Sequence, residues 1–172
     1  MQKFDELKEK NILVTGGAGF IGSHIAEKLV EIGAKVKVLD NFFAGKLENL
    51  NGFRDKVELI EGDITDLSLV YKAMEGIDYV SHQAALRSAT KSVNLPLSYT
   101  RVNVEGTINI LIAAKERGVK RVVYASSSSV YGDNLQLPQR EEDFPSPLTP
   151  YATSKLAGEF YCKMFTKTYG LP

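Results

Sequence analysis

Apolar positions along the chain follow two alternating rhythms. Short apolar runs at 11–16 (NILVTG), 35–40 (KVKVLD), 57–63 (VELIEGD), 78–85 (DYVSHQAA) and 121–127 (RVVYASS) predict five strands. Between the first two, Ile21, Ile25, Leu29 and Ile32 recur at helical spacing, and Gly33 supplies a stop. The segment 66–76 opens on Asp66 as a cap and closes on Gly76, which predicts a second helix. A third helix is predicted over 96–117, ending in a charged turn before Gly118. A fourth covers 149–170, with Thr149 as its cap and Pro150 in the first helical position. The stretch 131–150 carries four prolines and mixed charge, so it reads as a long surface loop of the kind that often serves function. Strands alternating with helices call for a doubly wound parallel α/β sheet with right-handed crossovers and helices on both faces.

At 172 residues, 44% hydrophobic and 24% charged, the chain has the length and composition of one globular domain spanning 1–172. Twenty-one basic residues balance 21 acidic ones. Neither nucleic acid nor an anionic membrane surface is therefore an expected partner, and any bound anion must be held locally. A single cysteine, Cys162, excludes an internal disulfide and a cysteine-rich metal site, and reads as a small buried hydrophobe. No metal site is expected. The first ten residues are charged, and no window approaches the roughly 20 apolar residues of a membrane span, so the expected location is the cytoplasm.

Chemistry concentrates where strands end. TGGAGFIG at 15–22 places Gly16, Gly19 and Gly22 between a strand and a helix, with Phe20 and Ile21 inside the motif. Such glycines make either a tight turn or a bed for pyrophosphate at a helix N-terminus. Asp40 favours the second reading, because an acid at the end of the second strand can accept from the adenosine ribose hydroxyls. Its charge would repel a 2′-phosphate, so NAD is expected rather than NADP, with Asn41 beside it. Asp63 and Ile64 follow the third strand, and Gln83, Ala84 and Ala85 end the fourth; both groups sit where open α/β sheets bind ligands.

Tyr151 and Lys155 lie four apart on one helix face, where a cation favours the phenolate and makes the tyrosine a proton-transfer group. Ser126 to Ser129 crowd hydroxyls at the end of the fifth strand, where they either meet a substrate oxygen or cap a turn. His24 and His82 are not placed to activate a serine and read as structural, which disfavours hydrolase chemistry.

Taken in order, TGGAGFIG, LDNF, GDI, HQAA, NVEGT, SSSSVYG and YATSK resemble the motifs of extended short-chain dehydrogenases/reductases, in the NAD-dependent sugar epimerase/dehydratase group. DNFFAGKLENL and HQAALRSATKSV look most like the UDP-N-acetylglucosamine and UDP-glucose 4-epimerases of that group. The resemblance implies a Rossmann-type, three-layer α/β/α domain holding NAD tightly. Tyr151 would be the acid/base at the sugar 4-hydroxyl, Lys155 would bind the nicotinamide ribose, and Ser127 would hydrogen-bond the reacting oxygen. Hydride would pass to NAD and return to the other face of a transient 4-keto sugar. Arg87, Ser88, Ser127 and Ser128 would lie against the UDP-sugar, and Asn103 matches a helix asparagine of the family. Related dehydratases carry an Asp-Glu pair where this chain has Ser128 and Ser129, so dehydration is not expected. The family is also expected to dimerise through the helices 96–117 and 150–169, and to continue into a C-terminal domain that grips the nucleotide-sugar, which this chain is expected to lack. A non-catalytic NAD-binding module is therefore the alternative reading.

Overall fold

Isoleucine, leucine and valine dominate the apolar runs, and their branched side chains suit strands covered on both faces. In the computed structural model, which describes residues 2–133 and 137–172, these runs form one parallel sheet. Its strands are β1 (Asn11–Thr15), β2 (Lys35–Asp40), β3 (Val57–Glu61), β4 (Tyr79–His82) and β5 (Arg121–Tyr124), in the order β3-β2-β1-β4-β5. Central β1 pairs Ile12 with Val36 on one side and with Tyr79 on the other. The helices are α1 (Phe20–Glu31), α2 (Leu67–Ala73), α3 (Ala89–Asn94), α4 (Pro96–Tyr99), α5 (Gly106–Glu116) and α6 (Pro150–Tyr169).

Side chains alternate across β1, and the two faces build two cores. Ile12 and Val14 pack with Val36, Val38 and Ala26 of α1, while Leu50 and Phe53 cover the same side. Leu13, Leu39 and Val80 meet Val70 of α2, Ile110 and Leu111 of α5, and Phe165 of α6 on the other. The order places β2 and β3 to one side of β1 and β4 and β5 to the other, so right-handed connections put α1 on one face and α2, α5 and α6 on the opposite face. This is the expected Rossmann-type, three-layer arrangement. The winding reverses between β1 and β4, where open α/β sheets leave a crevice beyond the strand ends.

Three features differ from the sequence reading. Strands β4 and β5 stop at His82 and Tyr124, short of the predicted 85 and 127. Gly16 turns β1 out of the sheet at φ 66°, so β4 has no partner past the Thr15–His82 pair and β5 none past His82–Tyr124. The third predicted helix is one run from Pro96 to Glu116, but Thr100–Glu105 within it are π-helical. Helix α3 was not predicted; it is six residues long, and Ser88 caps it by accepting from the Lys91 N–H at 3.2 Å. The described part of 131–150 leaves a Ser128–Tyr131 3-10 turn and is otherwise irregular up to Pro150; 134–136 lie outside the described residues.

Candidate functional site

The reversal point is closed by backbone. A side chain on Gly16 would meet the N and Cα of Ala84 at 2.8 Å, so the ends of β1 and β4 approach as nearly as main chains allow. Gly22, in the first turn of α1, backs onto the Gly16 carbonyl, and a methyl group there would overlap that oxygen. Gly19 has space by comparison, with the Gly16 carbonyl 3.1 Å from where its Cβ would lie. It caps α1 without a side-chain hydrogen bond. No side chain caps the first turn, and the positive end of the helix dipole meets a cleft walled by Gly19, Phe20, Ile21 and Gly22.

That cleft encloses about 610 Å³, within the usual range for small-molecule sites. At one end stand Asp40, Asn41 and Asp63; Gln83, Ala84 and Ala85 line the middle; Arg87, Tyr151 and Lys155 stand at the other end. The structure thus brings Gly16, Gly19, Phe20, Ile21, Gly22, Asp40, Asn41, Asp63, Ile64, Gln83, Ala84, Ala85, Arg87, Tyr151 and Lys155 to one cavity. Ser88, Ser127 and Ser128 are not among its walls. Ser127 accepts from the Ser129 N–H at 3.2 Å and caps the short turn that follows. Within the Ser126–Ser129 run it is Ser126 that lines the cleft, as Ser98 also does, and the Ser126 hydroxyl donates to Glu159.

Asp40 is buried and engaged on both oxygens. Oδ2 accepts from the Ala18 N–H at 2.9 Å and Oδ1 from the Phe42 N–H at 2.8 Å, so the carboxylate shapes its own turn and ties it to the glycine motif. Each oxygen keeps acceptor capacity toward the cleft. Asn41 donates to Asp63 Oδ2 at 2.7 Å, bridging the tips of β2 and β3. Burial pushes the Asp63 carboxyl up, but hydrogen bonds from Thr65 and Asn41 outweigh it and hold the group below the usual carboxylate range. The loop Phe43–Ala44–Gly45 also walls this end. Sequence reasoning missed it, because a loop reveals its partner only once Asp40 is seen folded beneath it.

At the other end, Thr149 caps α6 by accepting from the Ala152 N–H at 3.2 Å, which fixes the first turn that carries Tyr151. The Tyr151 ring meets Tyr99 edge-on, with centroids 6.3 Å apart. One turn on, Lys155 is almost fully buried and donates to the Ala125 carbonyl at 2.9 Å. Desolvation lowers its ammonium to about 8. His82 is buried behind the sheet ends, and desolvation with the Lys155 charge lowers its imidazole to about 3, so it is neutral. His24 is exposed and donates from Nδ1 to the Phe20 carbonyl at 2.7 Å, a local structural bond. Cys162 is partly rather than fully buried, and burial pushes its thiol up to about 11, far from a reactive thiolate. Among the described residues, no cluster of metal-ligating side chains is found and no helix is long and apolar enough to cross a membrane.

A 3-2-1-4-5 parallel sheet, a glycine turn at its reversal, an acid closing β2 and a Tyr-Lys pair across the cleft define a Rossmann-type domain of the short-chain dehydrogenase/reductase kind. Residues 12–172 match the NAD dependent epimerase/dehydratase family, and the chain belongs to it. The chain is 42% identical over 158 residues to UDP-glucose 4-epimerase of Yersinia pestis, covering 86% of this chain and 46% of that one. It superposes with a TM-score of 0.90 on UDP-N-acetylglucosamine 4-epimerase from Methanobrevibacter ruminantium M1 in complex with UDP-N-acetylmuramic acid, at 42% identity, covering 95% of this chain and 53% of that one. UDP-glucose 4-epimerase from Thermus thermophilus, a complex with NAD, gives a TM-score of 0.86 at 41% identity, covering 94% and 52%. The chain spans about half the length of the relatives it matches.

Proposed function

We propose that the chain binds NAD in this cleft and that its Tyr151–Lys155 pair serves epimerisation at C4 of a UDP-sugar, a UDP-hexose, UDP-N-acetylhexosamine or uronate. One observation carries the reading: Tyr151 and Lys155 face the same cavity as the glycine turn and Asp40. The residues fit a dinucleotide. The glycine turn, where the ends of β1 and β4 close against each other, leads into a helix N-terminus with no side-chain cap, which suits a pyrophosphate. Asp40 offers acceptors to a ribose diol, and its charge disfavours a 2′-phosphate. Bound NAD supplies a reversible two-electron acceptor for the sugar carbon. The protein's part is proton movement: Tyr151 takes the 4-hydroxyl proton and returns it, and Lys155, still mostly cationic at neutral pH, places a positive charge one helical turn away. Ser127 sits just beyond the wall, so joining the reaction requires its hydroxyl to turn away from Ser129. Ser88 and Ser128 would reach a substrate only after similar movement, whereas Arg87 already lines the cleft. Similarity to UDP-glucose and UDP-N-acetylglucosamine 4-epimerases supports the UDP-sugar, and similarity to the NAD complex of the Thermus thermophilus enzyme supports the cofactor.

Calorimetric titration with NAD and NADP tests the first half; tighter binding of NAD is expected, and Asp40→Asn is expected to remove the preference. Incubation with UDP-glucose and UDP-N-acetylglucosamine, followed by chromatography, tests the second. Tyr151→Phe is expected to slow 4-epimer formation by about 10²–10⁴-fold. No affinity for NAD overturns the proposal, and NAD binding without turnover assigns the chain NAD binding alone. We propose the same helices for assembly: the run 96–116 and α6 pack together and leave Leu97, Phe160 and Met164 exposed, which supports a homodimer that light scattering would detect.

A further inference from the structure

Behind the cleft, a line of buried polar groups joins the sheet to α6, and the chemistry proposed above uses none of them. Thr15, His82, Asn103, Thr107 and Ser154 are each no more than 3% exposed. Polar groups so deeply buried must match donor to acceptor, and that requirement fixes every proton in the line.

Thr107 settles the direction. Its hydroxyl donates to the Asn103 carbonyl at 2.6 Å, and its oxygen lies 3.0 Å from His82 Nε2. With the one hydroxyl proton committed, Nε2 must carry a proton and donate it. A neutral imidazole has one such proton, so Nδ1 is bare. It accepts from the Thr15 hydroxyl at 2.6 Å. Thr15 Oγ1 in turn accepts from the Ala84 N–H at 3.2 Å. Tyr124 also meets the Thr107 hydroxyl, but a Thr107 proton turned toward Tyr124 is as unavailable to His82 as one given to Asn103, so Nε2 donates in either case. Lys155 spends its ammonium on the Ala125 carbonyl, and Tyr124, whose ring lies 5.7 Å from that of His82, points its hydroxyl at the Lys155 carbonyl at 3.4 Å.

From Asn103 the line continues. Its amide donates to the Leu86 carbonyl at 3.0 Å and to Ser154 Oγ at 2.9 Å, while its own oxygen accepts from the Leu86 N–H at 2.8 Å. Ser154 then donates to the Tyr151 carbonyl at 2.7 Å. The bonds run one way from Ala84 through Thr15, His82 and Thr107 to the Asn103 carbonyl, and from the Asn103 side chain, itself pinned on both sides by Leu86, through Ser154 to Tyr151. Asn103 lies in the π-helical stretch, a local irregularity that often accompanies functional sites.

We propose that this one-way chain is a positioning device, in which His82 as its neutral Nε2–H tautomer couples the Ala84 backbone at the glycine turn to the turn of α6 that carries Tyr151. The links to backbone groups have a fixed direction, and reversing either histidine link alone would demand an imidazolium or an imidazolate, so the Thr15–His82–Thr107 segment holds as a unit. It keeps a ligand seated on the glycine turn in register with Tyr151. That last consequence rests on the NAD reading above; the coupling itself does not.

Long-range ¹H–¹⁵N correlation of the imidazoles at neutral pH reads the tautomer, with exposed His24 as the internal reference. His82 is expected as Nε2–H with bare Nδ1; an Nδ1–H or imidazolium form overturns the proposal. Thr107→Val is expected to disturb that signature and to speed amide exchange at Ala84, beyond His82 in the chain, about tenfold, the worth of one hydrogen bond. Thr107→Ser is expected to restore both. Should Thr107→Val fail to fold, Ser154→Ala probes the other end, with faster Ala84 exchange again expected. Unchanged Ala84 exchange in whichever variant folds overturns the coupling. A wild-type chain with no affinity for NAD would sink the cofactor reading and leave these measurements standing.

Discussion

A lysine ammonium almost closed off from water is an unstable choice unless the charge is used, and Lys155 shows the cost. Its ammonium is lowered from 10.5 to about 8 by desolvation. In the unfolded chain it keeps its proton to the higher value, so between pH 8 and 10.5 the unfolded state binds more protons than the folded one. Stability contributed by this group therefore rises with pH across that window. Lys155→Met removes the titration, and the stability gap between variant and wild type is expected to shift toward wild type by roughly 3 kcal/mol from pH 8 to 10.5. Urea unfolding at several pH values measures it; parallel curves for the two proteins would refute the buried charge. Lys155 and Tyr151 were legible in the sequence because helical spacing alone puts them on one face. Ser88 and Ser127, expected against the substrate from the family resemblance, do not line the cleft. A hydroxyl serves whichever neighbour its turn offers, and both turned to backbone N–H groups of their own segments.

Helix ends were the best-read elements, since a cap is a local bond between neighbours in sequence. Thr149 caps α6, Asp66 caps α2, and Gly33 follows α1 at positive φ, as the pattern predicts, although α2 ends at Ala73, short of Gly76. The strand ends and the π-helical stretch were misread because they depend on partners far along the chain. Strand β4 stops where β1 leaves the sheet, and the π-helical stretch carries Asn103, whose side chain meets Leu86 and Ser154. Among the caps, Thr149 also fixes the entry of the helix that carries the chemistry. Thr149→Ala is expected to cost about 1 kcal/mol and to lower the melting temperature by about 2–4 °C. A thermal scan reads the change, and an unaltered midpoint would show that packing alone holds the first turn.

For the whole molecule, the cleft exists because the winding reverses between β1 and β4, and the glycine motif does two separable jobs there. Gly22 serves the fold. A methyl group on it would overlap the Gly16 carbonyl, a backbone atom that moves only if α1 lifts from the sheet. Alanine would gain about 1 kcal/mol of helix propensity. The overlap, of order 1–3 kcal/mol and borne by backbone, is expected to win, so Gly22→Ala should destabilise the protein. Gly19 serves the site. Its φ of −74° suits any residue, and the nearest contact, 3.1 Å to the same carbonyl, needs only a small adjustment. Its methyl group would instead occupy the wall over the uncapped N–H groups. Gly19→Ala is therefore expected to leave the unfolding midpoint within about 0.5 kcal/mol of wild type while weakening NAD binding at least tenfold. Denaturant unfolding and calorimetry on the two variants separate the roles. If Gly19→Ala binds NAD as wild type does, the pyrophosphate bed lies elsewhere and the glycines belong to the turn alone.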